Sequence, residues 1–281
     1  MNKRIVLFGG SGFLGTHLVG HLVQQGESNI LAVARNEAAL VLLKEKYPCI
    51  EIQVGDISNK WCVKKAMTGA DHVYMLAAVK HVSIADRDVA SCISTNITGV
   101  ENVVAESLVT KPETLLFVST DKAARPTGVY GCTKKIGEKL IEEAERINDD
   151  TSYRIVRYGN VWGSAGSIAT KWKPKMKAGE EVVLTDPEAS RFFFTVDDAL
   201  NLIFECIEKA GNAAPYIPKM KAIKMGVVLE ACMDVWGKSP VKIIGLQPGE
   251  NMVETTDGIT FSDTCDQFTK EEFIQKFLTN E

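Results

Sequence analysis

The chain has 281 residues, enough for one large domain or two small ones around a packed core. Its 45% hydrophobic and 24% charged content is ordinary for a globular protein, and a net charge of −4 with scattered basic residues argues against nucleic acid as a partner. No apolar run approaches the ~20 residues that span a bilayer, and seven dispersed cysteines without a C-x-x-C pair or Cys/His cluster point to a reduced, cytoplasmic chain with no structural metal.

Short β-branched runs alternate with helical patterns over the first 160 residues. RIVLF (4–8) precedes an apolar-periodic stretch to about Gly26, and NILAV (29–33) a helix ending near Tyr47-Pro48. The start MNKRIVLF has the basic and apolar parts of a signal peptide, but no small-residue cleavage site follows. IEIQV (50–54) leads to a short helix near 59–68, and HVYML (72–76) to a long one near 88–109. LLFVS (115–119) is followed by a helix from Val129 to Ile147, then YRIVR (153–157). Nearly continuous apolar strands alternating with helices predict a doubly wound α/β fold, a parallel sheet covered on both faces. After Asn160 the rhythm breaks into a Gly/Ser-rich loop (163–167), a helix, VVL, the run RFFFTV and a helix from Asp197. The expected division is 1–160 as the nucleotide-binding domain, with 192–209 returning to its sheet, and 161–191 plus 210–281 as a smaller substrate-binding region.

Glycines at 9, 12 and 15 in GGSGFLG follow the first strand and open a helix, the context in which such a loop cradles a pyrophosphate on free N–H groups and the helix dipole. About 20 residues further an acid would grip the ribose 2′-hydroxyl of NAD. The residue there is Arg35, which suits the 2′-phosphate of NADP; otherwise Arg35 points into water. Asp56, in VGDIS, either accepts from an adenine amine or belongs to the start of the next helix.

STDKAARPTGVYGCTKK (119–135) crowds chemistry at the end of the fifth strand. Tyr130 and Lys134 are i and i+4 on one helix face. A phenol ionises near pH 10, and a neighbouring ammonium lowers that value, so Tyr130 is expected to act as a base for a sugar hydroxyl while hydride leaves its carbon. Lys134 also suits the nicotinamide ribose, and Thr120 the hydroxyl being oxidised.

These pieces resemble the extended short-chain dehydrogenase/reductases acting on nucleotide sugars, more narrowly the inverting UDP-N-acetylglucosamine 4,6-dehydratases and their capsule-biosynthesis relatives. The matching segments are GGSGFLG, AAVKHV (77–82), STDKAARPTGVYGCTKK, RYGNVWGSAGS (157–167), LTDPEASRFFFT (184–195), YIPKM (216–220) and IIGLQPGE (243–250), in family order. The resemblance implies a Rossmann-type fold and an internal redox cycle. Tyr130 deprotonates the 4-hydroxyl as hydride passes to NADP, Asp121 protonates the departing 6-hydroxyl, Lys122 takes the C5 proton, and hydride returns to C6, with C5 inverted in inverting members. It also implies a cofactor site of Gly9, Ser11, Gly12, Phe13, Leu14, Gly15, Arg35, Asp56, Ile57, Ala77, Lys80, Tyr130, Lys134 and Val161. His81, Asn160, Arg191 and Gln247 fall at substrate positions, and relatives commonly associate through the helices near 88–109 and 128–147, which implies a homo-oligomer.

The chain departs from the family twice. The usual S-R-G-S loop reads Ser164-Ala165-Gly166-Ser167, and the usual R-P-G-E reads Gln247-Pro248-Gly249-Glu250. Each missing arginine removes a charge-assisted bond to a phosphate worth roughly 1.5–3 kcal/mol. Either Lys171, Lys173 or Lys219 substitutes, or the substrate differs from UDP-N-acetylglucosamine. A 4-epimerase or 4-keto-sugar reductase needs Tyr130 and Lys134 without an elimination pair, and a non-catalytic NADP-binding regulator needs neither.

Overall fold

The computed structural model describes residues 3–279. The first half runs β1 (Ile5–Phe8), α1 (Phe13–Gln24), β2 (Ile30–Ala34), α2 (Glu37–Lys46), β3 (Glu51–Val54), α3 (Lys60–Met67), β4 (His72–Met75), α4 (Val82–Arg87), α5 (Val89–Ile93), α6 (Gly99–Thr110), β5 (Thr114–Val118), α7 (Val129–Ile147) and β6 (Ser152–Val156). Then come β7 (Asn160–Val161), α8 (Ile168–Lys177), β8 (Val182–Leu184), β9 (Ser190–Phe194), α9 (Val196–Lys209), β10 (Pro215–Tyr216), β11 (Ala222–Lys224), α10 (Met225–Trp236), β12 (Val241–Ile243) and α11 (Lys270–Phe273).

The six expected strands pair in parallel, and with β10 they form a seven-stranded sheet ordered β10-β6-β5-β4-β1-β2-β3. Strand order reverses beside β1, so the crevice above the carboxyl ends of β1 and β4 is where a ligand fits. The alternation of β1 divides the core. Val6 and Phe8 join Val73, Met75, Leu115 and Phe117 under α3, α6 and α7. Ile5 and Leu7 join Ala32 and Leu116 over α1, α2 and α9. A sheet buried on both faces is what the apolar runs predict.

The segment 192–209 differs from expectation. Its helix, α9, does pack under the main sheet, with Leu200, Ile203 and Cys206 beside Leu18 and Leu22 of α1. Its strand does not return there: β9 runs parallel to β7 and antiparallel to β11 in a three-stranded sheet. The reason is in the phenylalanines. Phe193 is held edge-on by Trp162 and Phe273 in a separate aromatic core with Trp172 and Trp236, while Phe194 packs with Tyr158 in the core over α1 and α9. The seventh place in the main sheet goes to β10, paired with Ile155 and Val156.

The long helix expected near 88–109 is α5 and α6 joined through a π-helical turn at Ser94–Thr98. That turn carries Asn96, 1% exposed, whose amide accepts from Val79 N–H at 2.8 Å and donates to Val79 O at 2.9 Å and Thr133 Oγ1 at 3.1 Å. Asn96 thus fixes the segment after β4 against α7, the helix that carries Tyr130 and Lys134.

Candidate active site

At the end of β1 the backbone comes too close to its neighbours for any residue but glycine at two positions. Gly9 has φ +91°, and a Cβ there would lie 2.7 Å from Ala77 N; one on Gly15 would lie 2.3 Å from Gly9 O. Gly12 caps α1 without any side-chain bond, so the N–H groups of that twelve-residue helix face the crevice unclaimed by a cap. The loop therefore fits a dinucleotide pyrophosphate by close backbone approach, with Ser11, Phe13 and Leu14 on the same turn and Ala77 against it.

Arg35 follows β2, and its Nη1 lies 3.6 Å from Asp56 Oδ2, both side chains facing solvent in part. Asp56 Oδ1 accepts from Ser58 N–H and Oγ, each at 2.8 Å, and the cap of α3 is Asn59. These bonds and Arg35 outweigh partial burial and hold the Asp56 carboxyl below its ordinary range. The Ile57 side chain packs in the core against Gly99.

The second half of the site begins where β5 ends. Ser119 N–H bonds Val156 O at 2.7 Å and Asp121 N–H bonds Tyr158 O at 3.0 Å, so the strand is held past its last residue and then turns as a 3-10 helix over Asp121–Ala123. Thr120 caps that turn and donates through Oγ1 to Asp121 Oδ1 at 2.8 Å. Gly131 lets α7 close on the turn, since a Cβ there would lie 2.5 Å from Lys122 O. Tyr130 and Lys134 follow on α7, with the Tyr130 phenol close enough to Thr120 to be influenced by it.

Lys122 Nζ lies 3.2 Å from Asp121 Oδ1 and 2.7 Å from Glu254 Oε1. Glu254 is 3% exposed; Arg191 Nε stands 3.5 Å from its Oε1, and Asn160 Nδ2 donates to its Oε2 at 3.3 Å. The structure thus gathers Thr120, Asp121, Lys122, Tyr130, Asn160 and Arg191 around a carboxylate that sequence reasoning missed. Glu254 arrives by stitching of the tail to β9: its N–H bonds Ser262 Oγ at 2.9 Å, which in turn bonds Ser190 O at 3.1 Å. Only its place four residues past Glu250, in an otherwise loop-like tail, marks it in the sequence.

Burial and charge set this cluster apart. Burial and the Glu254 charge raise the Asp121 carboxyl well above the carboxylate range, while Lys122 and Arg191 hold Glu254 below it against its burial. The two carboxyls press their charges on one another, and Asp121 Oδ2 is buried without a hydrogen-bond partner. Lys122 is held as an ammonium: despite its burial, Asp121 and Glu254 raise it above the ordinary lysine value.

Tyr130 and Lys134 differ from expectation. Burial pushes the phenol up to about 12, and the charge that opposes this belongs to Lys122. Lys134, 4% exposed with Nζ 3.9 Å from the Phe117 ring centre, is pushed down to about 7 by burial. The lysine four residues on sits against an aromatic face, so the cation acting on the phenol in this structure is the neighbour on the turn.

The remaining expected positions lie around this centre. Lys80 and His81 follow β4, and burial together with Lys80 and Lys171 lowers the His81 imidazole below its ordinary value. A Cβ at Gly166 would lie 2.2 Å from His81 Cε1, so the loop carrying Ala165 rests on that ring. Of the three lysines weighed as replacements for the missing arginines, Lys171 stands by His81, while Lys173 lies 5.8 Å from the Trp236 ring centre and Lys219 lines a separate groove beside α9. Gln247 turns back, donating to Gly245 O at 3.1 Å. Val161, on β7, packs against the core under α1 and α9. Among the described residues, no group of three or more His, Cys, Asp and Glu is arranged to hold a metal, and no helix is long and apolar enough to cross a membrane.

A buried ion pair supports the whole arrangement. Glu138 of α7 accepts from Arg157 Nε at 2.9 Å and Nη2 at 2.6 Å and from Ser119 Oγ at 2.6 Å, and Arg157 Nη1 donates to Thr256 O, two residues past Glu254. Arg157→Ala leaves Glu138, at 0% exposure, without its bidentate partner and with only the part-exposed Lys135, 3.2 Å away, and Ser119 to offset its charge, and is expected to cost about 3 kcal/mol and lower Tm by roughly 10 °C. Thermal unfolding followed by circular dichroism measures this; an unchanged Tm contradicts it.

The polysaccharide biosynthesis protein family model matches residues 5–274. An inverting UDP-N-acetylglucosamine 4,6-dehydratase of Campylobacter jejuni is 31% identical over 258 residues, covering 90% of this chain and 76% of that one. A UDP-glucose 4-epimerase of Rickettsia canadensis is 29% identical over 264 residues, covering 91% and 77%. Among solved structures, Pen from Bacillus thuringiensis is 29% identical with a TM-score of 0.91 over 97% of this chain and 95% of that one. A dTDP-glucose 4,6-dehydratase from Streptomyces venezuelae, solved with NAD bound, shares the fold with a TM-score of 0.79 at 18% identity, over 89% and 87%. With a match along almost its entire length, the chain belongs to the polysaccharide biosynthesis protein family, on the fold of the extended short-chain dehydrogenase/reductases.

Proposed function

We propose that the chain is an NADP-dependent nucleotide-sugar 4,6-dehydratase. The observation that carries the reading is the pair of buried Asp121 and partly buried Lys122, 3.2 Å apart beside Thr120 and Tyr130. Removing water across C5 and C6 needs an acid for the leaving hydroxyl and a base for the C5 proton, and a simple C4 epimerisation needs neither. The cofactor, when bound, would supply reversible hydride acceptance.

The chain's own residues do the rest. Thr120 positions the 4-hydroxyl and Tyr130 takes its proton. The ketone at C4 acidifies C5–H, Lys122 as free amine removes that proton, and Asp121 delivers its proton to the 6-oxygen as the C6–O bond breaks and water leaves. Gly9, Gly12 and Gly15 would hold the pyrophosphate, Lys134 the nicotinamide ribose, and Arg35 the 2′-phosphate. Lys80, His81 and Lys171 form the basic rim at which the sugar-nucleotide phosphates would sit, in place of the arginine absent at Ala165.

Arg35→Asp is expected to reverse the cofactor preference, weakening NADPH at least tenfold relative to NADH. Fluorescence titration with both cofactors measures it, and tighter binding of NADH than of NADPH by the unaltered protein contradicts the role of Arg35.

Homology to a UDP-glucose 4-epimerase favours a second reading, C4 epimerisation. Turnover in deuterium oxide separates the two. Elimination leaves solvent deuterium at C5 of the product, and epimerisation retains the original hydrogen there.

A further inference from the structure

Lys122 presents a difficulty as a base, because it is clamped as an ammonium between two carboxyls. The charged and titratable groups facing the cluster are Asp121, Lys122 and Arg125 on the turn after β5, Tyr130 on α7, Arg191 on β9, and Glu254 on the tail segment. Of these, Glu254 touches Lys122 most closely and approaches Asp121 as well.

We propose that Glu254 is a positioning residue for the elimination pair: its buried carboxylate orients Lys122 and supplies the negative charge against which Asp121 and Lys122 hold their protons. This rests on the dehydratase reading for its purpose, though not for its geometry. Glu254 is built to stay ionised, with Lys122 at 2.7 Å, Arg191 at 3.5 Å and Asn160 at 3.3 Å. A fixed anion there raises the proton affinity of Asp121, the group that must take the proton Lys122 loses, as well as that of Lys122 itself. Across the 3.2 Å contact an N–H bond of the Lys122 ammonium breaks and an O–H bond forms on ionised Asp121. Both charges disappear, which a buried site favours, and the product is the amine and acid that elimination requires. Glu254 keeps its own charge throughout. Arg157 sets its place, through the bond to Thr256 O on the same segment.

The test reads Lys122 directly and needs no turnover. Acetic anhydride acylates only the free amine, so labelling of Lys122 against pH, followed by peptide mass spectrometry, gives the midpoint of its titration. In the unaltered protein this midpoint is expected above that of the exposed lysines. Glu254→Gln should move it down by a unit or more, which is tenfold faster labelling at a given pH below the midpoint. Glu254→Asp, which keeps the charge, should stay nearer the unaltered protein. A loosened site would raise the labelling plateau at every pH without moving the midpoint, so a plateau change alone overturns the proposal. So does an ordinary midpoint for Lys122 in the unaltered protein, which requires no variant to fold. In turnover, Glu254→Gln should shift the alkaline limb of dehydration to lower pH while leaving the pH profile of C4 oxidation in place. If the protein dehydrates no nucleotide sugar, the functional reading fails while the labelling result still decides the role of Glu254.

Discussion

Tyr130→Phe is expected to slow C4 oxidation by about 10²–10⁴-fold, the range a positioned base contributes, with neither NADPH nor dehydrated product appearing after nucleotide sugar is added. The phenol stands near Thr120, Lys122 and Asp121, and its ring lies on the helix that Gly131 brings against the catalytic turn. Phe keeps the ring and removes only the oxygen, so folding and cofactor binding should survive. Because burial holds this phenol up at about 12, the oxidation rate of the unaltered enzyme should rise with pH through neutrality, as more of the base form is present. Stopped-flow absorbance of NADPH reads both effects; normal oxidation by Tyr130→Phe would place the first base elsewhere.

Lys122→Ala is expected to separate the two half-reactions. Dehydration should fall by about 10²–10⁴-fold while C4 oxidation continues, so NADPH absorbance rises and no 4-keto-6-deoxy product follows. The substitution also leaves Asp121 and Glu254 together without their shared cation, a buried arrangement that costs about 3–5 kcal/mol unless one of them stays protonated. Lys122→Gln, which retains a donor toward Glu254, should show the same kinetic split with less loss of stability. Full dehydration by either variant would move the base to another group, Glu254 first among them.

The legible parts of this molecule were those in which local pattern and tertiary role agree. β1, β2, β4, β5 and β6 are buried on both faces and therefore read as unbroken apolar runs; α7 begins and ends at Val129 and Ile147 because glycine and asparagine flank a 3.6-residue pattern. Where burial comes from distant chain, the pattern misleads. Phe192, Phe193 and Phe194 look like a central strand, yet Phe193 is buried by Trp162, Phe273 and Phe277, which no local window contains. β10 is two residues long, one of them proline, and carries no strand signal. In the site, Thr120, Asp121, Lys122, Tyr130 and Lys134 were readable because they crowd one segment at a strand end. Glu254 was not, since its partners Lys122, Asn160 and Arg191 lie far from it in sequence and its own neighbourhood reads as an ordinary loop. The electrostatics also needed the fold: spacing alone places Lys134 near Tyr130, and only the packed structure shows its ammonium over Phe117 while Lys122 faces the phenol.

The central claim is that the Asp121–Lys122 pair makes this chain eliminate water from a nucleotide sugar. The most direct measurement is the mass of the nucleotide sugar recovered after the unaltered protein and NADP are incubated with a panel that includes UDP-N-acetylglucosamine. The expected result is a product lighter by one water, with a carbonyl at C4 and a methyl group at C6. A product of unchanged mass epimerised at C4, or a panel returned intact by protein that binds NADPH, would contradict it.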